Sequence, residues 1–476
     1  MNRTMFTRTI SILLAVVAAL APLAAADPAS DVLVGEHWYV GELNRSPAMT
    51  LHQVVTRHAD GRHTSVIDTV MVIRRKMGAQ DFKLEIRESQ RFGESSSGVV
   101  ETFRFDHVES GSTISAEGRV EPGRGEPDRA VATVHRLGRT QDVVIPIPAG
   151  VKLLSDRVVQ AEIARDPITA GAKRTFHGLI LMNGQVQLVT STVTGKGATP
   201  DGDWNVEMLA DVMPIPIQTV IAKNGELVAM TMSFGPIGIS LKRSSGPVPL
   251  LGGEVSPTGM VSAKGPAPRS APENRYRLPA TVAVQDDGFS LMAEGVVTVR
   301  SRGNRRAPTD AEKKTLLATE AQIEIDDPAL RAWVTGLVKT DEAPSATAER
   351  LRLAVRSHIG KKDFGVMDGS ALETYRSRHG DCTEHANLLA AALRIAGIPA
   401  RVDVGVVWSA DHGAWVGHAW NTAWIDGRWV HLDAAYPGIE RSQYLRLGSP
   451  GATKGTMAAM VANLSALMGG EVEVLP

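Results

Sequence analysis

Residues 378–401 read RHGDCTEHANLLAAALRIAGIPAR. Asp381 is a good helix cap, and Leu388, Leu389, Ala392 and Leu393 form a broad apolar face. The stretch therefore predicts a helix opening at Cys382. Gly397, Ile398 and Pro399 stop that helix, and a strand follows. Cys382 is the only cysteine in 476 residues. At a helix start it meets unpaired N–H groups and a partial positive charge, which favour thiolate and can hold an oxyanion.

Two further groups lie downstream, His418 in GHAWNTAWIDGRW and Asp433 in VHLDAAY. Cysteine, histidine and aspartate are the composition of a thiol nucleophile with its base and orienter. Asp426-Gly427 sits between apolar-rich segments, the sequence of a two-residue hairpin turn. Pairing Ile425 with Arg428 places His418, Trp420, Thr422 and Trp424 on one face with Trp429, His431, Asp433 and Ala435. In that register Asp433 is the diagonal neighbour of His418, within reach of its side chain. Spacing alone does not bring Cys382 to this pair.

These motifs resemble the transglutaminase-like cysteine-enzyme superfamily, whose core is related to papain-like proteases. The shared features are a cysteine opening a helix, a GIPAR turn (Gly397 to Arg401), HAW (His418 to Trp420) and a WxxLD ending (Trp429 to Asp433). The resemblance covers about residues 320 to 445. It implies that Cys382 is the nucleophile, His418 the general base and acid, and Asp433 the orienter. Two departures stand beside the motif: Thr422, where a glutamate often follows HAWN, and Ala434-Ala435, where Pro-Thr is common. Both bear on substrate choice rather than on the three reacting groups.

His385 reads as a core or capping histidine, His412 as a loop residue, and His431 as lying behind the site or exposed. Glu384 and Arg394 read as surface helix charges. A zinc site from Cys382, His385 and His418 lacks a fourth ligand, and no acidic loop suggests calcium. No cofactor or metal is expected. Five of the eight tryptophans lie between 408 and 429. Core packing explains some of them, and Trp420 is the candidate for framing a substrate groove.

The chain's length predicts two or three domains. Residues 1–26 combine a basic start, the apolar run ISILLAVVAALAPL and Ala24-Ala25-Ala26, the pattern of a cleaved secretory signal. A periplasmic or secreted location follows, where one unpaired cysteine flags a reactive thiol. Formal net charge is −1, giving no bias toward nucleic acid. No later segment is apolar enough to span a bilayer. Residues 31–243 alternate apolar with polar over strand lengths and predict an all-β antiparallel domain, a half-barrel or a sandwich. Only a short helix is expected there, near Leu153–Ile163. Residues 244–273 have the Gly/Pro/Ser composition of a linker. Residues 274–476 predict an α+β domain, transglutaminase-like by the resemblance, with its core at 320–445.

Two functions are expected. One is an exported cysteine enzyme that attacks an amide carbonyl through a thioester, as a peptidase, amidase or transamidase on a protein or peptide. The pair starts either as thiol with neutral imidazole or as thiolate with imidazolium. The other is an inactive scaffold holding peptide, polymer or lipid in the cell envelope. Oligomeric state is not legible.

Overall fold

The computed structural model describes residues 31–476 except 78–79, 110–111, 124–125, 137–138, 183, 236, 255–259, 285, 361–368, 437, 451–453 and 469. The expected signal segment, 1–26, lies outside the described residues. The chain forms two compact units, which divide between Glu254 and Met260. None of the helices among the described residues is long and apolar enough to cross a membrane.

The first unit is built on one continuous 15-stranded sheet rather than two facing sheets. It runs in space from an edge strand, Arg139–Pro146, back through the chain to Val32–Leu43, then across to Ile237–Ser244 and on to Lys173–Met182 at the other edge. Neighbours are antiparallel, except that Gly253–Glu254 pairs in parallel with His63–Met77. Inward positions alternate along each strand, and Phe92, Phe103, Phe105, Val134, Leu179 and Val186 pack into a shared apolar cluster. Leu153 pairs with His177 of the edge strand, and Leu154 pairs with Val99, so the sheet curls back on itself. The expected short helix is present as Asp156–Arg165, and its buried Arg157 pairs with buried Glu94. A groove of about 860 Å³ beside the Arg139–Pro146 edge is lined by Arg91, Arg104, Arg119, Arg129, Glu117 and Asp142.

The second unit joins helices to a nine-stranded sheet. Four strands matter for the site: Ala400–Ser409, Ala414–Ile425, Arg428–Leu432 and Tyr444–Gly448. The cysteine helix, Cys382–Ile395, packs on the first two, and on the helices Pro328–Leu337, Pro344–His358 and Ala371–Ser377. Its Leu388, Leu389 and Leu393 are fully buried, each stabilising the unit by about 1.5–3 kcal/mol. Gly397, at φ 77°, turns the chain out of the helix through Ile398 N–H to Leu393 O, 2.9 Å. The Gly/Pro/Ser-rich stretch 244–273 is not all loop. Its side chains have little to bury, but its backbone pairs with sheets, as Gly253–Glu254 in the first unit and Met260–Lys264 in the second. A closing strand, Glu471–Leu475, follows the helix Lys454–Met468 and was not legible in the sequence.

Candidate active site

The cysteine helix begins where the sequence places it. Asp381 is its N-cap, accepting Thr383 N–H at 3.1 Å, and Glu384 accepts the Asp381 N–H at 2.9 Å. This reciprocal capping fixes the first turn and holds Cys382 at the end of a rigid element. Cys382 is buried, and its sulfur accepts a hydrogen bond from the Ala419 N–H, the residue next to His418.

The hairpin register matches the sequence reading through its paired length. Ile425 opposes Arg428, Thr422 opposes His431 and Asn421 opposes Leu432. Asp426 and Gly427 both have positive φ, 49° and 74°, the conformation this tight turn requires. The strand ends at Leu432, so the expected pairings of Trp420 with Asp433 and of His418 with Ala435 do not form. Asp433 instead opens a turn in which its Oδ1 accepts Ala435 N–H at 2.8 Å and Tyr436 N–H at 2.9 Å. Its Oδ2 faces His418, whose Nε2–H donates at 2.7 Å, with both side chains buried.

Burial alone would raise the Asp433 carboxyl, but the charge and hydrogen bond of His418 outweigh it and hold the group at about 2. An ionised carboxylate only accepts, so Nε2 carries a proton and donates it to Oδ2. His418 Nδ1 is buried and has no hydrogen-bond partner among the described residues. The structure thus brings His418 to Asp433 directly, and Cys382 to the neighbouring Ala419 backbone.

The thiol departs from the sequence expectation. Burial, and then the Asp381 charge, push Cys382 well above the ordinary thiol range, more than its Ala419 bond pulls it down. The helix start is positive in isolation, but here Asp381 caps it through the Thr383 N–H, and both Asp381 and Glu384 are buried. These surroundings favour the protonated thiol over the thiolate.

Other expected roles are settled by burial and partners. Trp420 is 1% exposed and packs on Tyr444, with ring centroids 5.1 Å apart, and beside His418 at 6.1 Å. It supports the histidine from within the core instead of framing a groove. His385 Nδ1 bonds the Asp381 carbonyl at 2.6 Å, a capping contact. Glu384 and Arg394 are buried, not surface charges: Glu384 also accepts Gly369 N–H, and Arg394 pairs with Glu320 at 2.8 Å. His431 packs edge-on against Tyr444 at 4.5 Å, and burial lowers it to about 3. His412 is a loop residue bonded to Ser409.

Several neighbours of the site were missed in the sequence. Tyr444 donates its hydroxyl to Asp433 Oδ2 at 2.9 Å. Asn421 donates to the Ala386 carbonyl at 2.9 Å, tying the histidine strand to the cysteine helix. Arg441 is buried, pairs with Asp287 at 2.7 Å and donates to the Tyr444 carbonyl at 2.9 Å. Arg352 donates to the Asp433 carbonyl at 3.1 Å. Tyr436 sits edge-on to the His418 ring at 4.9 Å. No local pattern marks these residues, because what each touches is set by tertiary packing and not by its neighbours in the chain.

Among solved structures, the chain is similar to a β-barrel-like protein of a domain of unknown function from Brucella abortus. Identity is 16%, TM-score 0.33, with 44% of this chain and 95% of that one covered. It is also similar to the periplasmic domain of TgpA from Pseudomonas aeruginosa, at 16% identity and TM-score 0.26, covering 58% of this chain and 90% of that one. A search of curated proteins gives no match. The family model of the transglutaminase-like superfamily matches residues 331–434, which span Cys382, His418 and Asp433. The second unit of this chain therefore carries a domain of the transglutaminase-like superfamily.

Proposed function

We propose that this protein is an exported cysteine enzyme that attacks an amide carbonyl through Cys382, with His418 as base and acid and Asp433 as its orienter. The observation that carries the reading is the buried His418–Asp433 bond, which orients the imidazole through Nε2, with the Cys382 sulfur bonded to the amide of Ala419, the next residue in the chain. Apo sites of this kind often tighten only around substrate.

The chemistry follows from the tautomer. As the sulfur attacks the carbonyl carbon, its proton passes to His418 Nδ1, and Asp433 stabilises the imidazolium that forms. The tetrahedral oxyanion meets backbone N–H groups at the start of the cysteine helix. The C–N bond then breaks, Nδ1 protonates the leaving amine, and a Cys382 thioester remains. Water as second substrate completes hydrolysis, and an amine completes transamidation. Because burial and the Asp381 charge push the thiol up, deprotonation accompanies attack and does not precede it.

Acylation of the mature protein by p-nitrophenyl acetate, followed by intact mass, tests this reading. One acetyl group on Cys382 is expected, absent in Cys382→Ala and slowed about 10²–10⁴-fold in His418→Ala. Equal acylation rates in wild type and His418→Ala would rule the mechanism out.

A further inference from the structure

We propose that Tyr444 is a positioning residue for this site: its hydroxyl fixes the Asp433 carboxylate and tempers the charge that carboxylate presents to His418. The inference rests on the enzyme reading above and deepens it.

An ionised carboxylate offers about four acceptor positions, two per oxygen. Asp433 uses one oxygen for its own turn, through Ala435 and Tyr436, and the other for two side chains, His418 and Tyr444. The turn determines where Oδ1 points. The side chains determine where Oδ2 points, and only Tyr444 among them is not a reacting group. With both donors present, the carboxylate cannot rotate toward His418 without abandoning the phenol.

Tyr444 is itself held. It begins the strand Tyr444–Gly448, and its backbone pairs with Val407. Arg441 grips its carbonyl, and Asp287 grips Arg441. Its ring is fully buried against Trp420 and His431. Burial, and then the adjacent Asp433 charge, keep the phenol protonated and so a permanent donor. A donor to a carboxylate draws charge from it and weakens its hold on an opposing cation. Tyr444 thereby opposes the charged imidazolium that Asp433 favours, keeping His418 Nδ1 available as a base.

The charged and titratable groups around the pair come from several elements. His431 from the strand Arg428–Leu432, Tyr436 from the loop beyond it and Arg352 from the helix Pro344–His358 act on the pair itself, while Arg441 and Asp403 act on His431, and Cys382 and Asp381 on Tyr436. None of them except Tyr444 and His418 donates to Oδ2 among the described residues.

Tyr444→Phe removes one oxygen and keeps the ring. The readout is the pH at which the His418 imidazole gains its proton, followed by long-range ¹H–¹⁵N NMR in the whole mature protein. Loss of the phenol is expected to raise that pH by about 0.5–1 unit. In an Asp433→Asn background the same substitution should change nothing. An unchanged His418 titration in Tyr444→Phe, or the same shift in the Asp433→Asn background, would overturn the proposal and leave Tyr444 as packing alone. If Tyr444→Phe does not fold, fluorotyrosine in place of Tyr444 keeps the shape and strengthens the donor. It must then lower the His418 titration, and a rise or no change would overturn the proposal. Neither readout needs turnover. Failure of Cys382 acylation would sink the enzyme reading, whereas failure of these titrations would sink only the role of Tyr444.

Discussion

Asp433 divides its two oxygens: Oδ2 takes the His418 Nε2–H at 2.7 Å, while Oδ1 takes the backbone N–H groups of Ala435 and Tyr436. The side chain is therefore anchored by its own turn before it meets the histidine. The imidazole is oriented by a carboxylate whose other oxygen the turn already holds.

Asp433→Asn tests what the charge adds beyond this geometry. The amide oxygen can still accept from Ala435 and Tyr436, but its NH₂ then faces His418 Nε2 and forces the other tautomer. Acylation of Cys382 should fall about 10⁴-fold, with folding retained. A loss of under about 3-fold, measured by intact mass against time, would contradict the assigned orientation.

Asp381→Asn probes the raised thiol. Asparagine caps helices about as well as aspartate, so stability should change little. Its neutral amide removes the charge that, after burial, holds the Cys382 proton on. The pH dependence of iodoacetamide alkylation should move to lower pH. No movement, or movement upward, would show that burial alone sets the thiol.

His431 gives a stability signature with a definite sign. Its folded value is lowered to about 3 from 6.5, first by burial and then by Arg441. Between these values the unfolded chain binds the extra proton, so stability falls as pH drops from 6.5 toward 3. Urea unfolding midpoints should decline over that window, and His431→Phe should decline less. Parallel curves for the two proteins would exclude a contribution from His431.

The Asp287–Arg441 pair lies behind the site with both side chains almost fully buried. Asp287→Ala strands a guanidinium against the Phe289 and Trp420 rings, 4.6 and 5.7 Å away. A loss of about 3–5 kcal/mol in urea unfolding is expected, partly recovered by adding Arg441→Met. If the single variant loses under about 1 kcal/mol, the pair does not hold the Tyr444 strand.

The second unit was legible wherever its pattern is local. A capping aspartate, an apolar helix face and a Gly-Ile-Pro stop place the cysteine helix within a residue. Asp426-Gly427 sets the hairpin register, and the two-residue period then puts Asp433 beside His418. The register holds only to Leu432, because Asp433 spends Oδ1 on a turn that strand periodicity does not contain. Ser345 reads as a helix start, but the helix begins at Pro344 with no side-chain cap. In the first unit, alternation shows the strands and cannot show whether they form one sheet or two, since both bury every second residue.

What the sequence by itself determined is most of the local elements, and where Cys382, His418 and Asp433 lie on them, because capping, turn conformation and strand alternation act over a few neighbouring residues. Only the tertiary structure decided the state and surroundings of those groups. Glu384 and Arg394 look like surface charges on a helix until the neighbouring strands and helices cover them, and Trp420 looks like a groove residue until Tyr444 closes over it. The helix start favours a Cys382 thiolate in isolation, while burial and the Asp381 charge push the thiol the other way. Desolvation and hydrogen bonding between distant segments set those outcomes, and both depend on which segments meet.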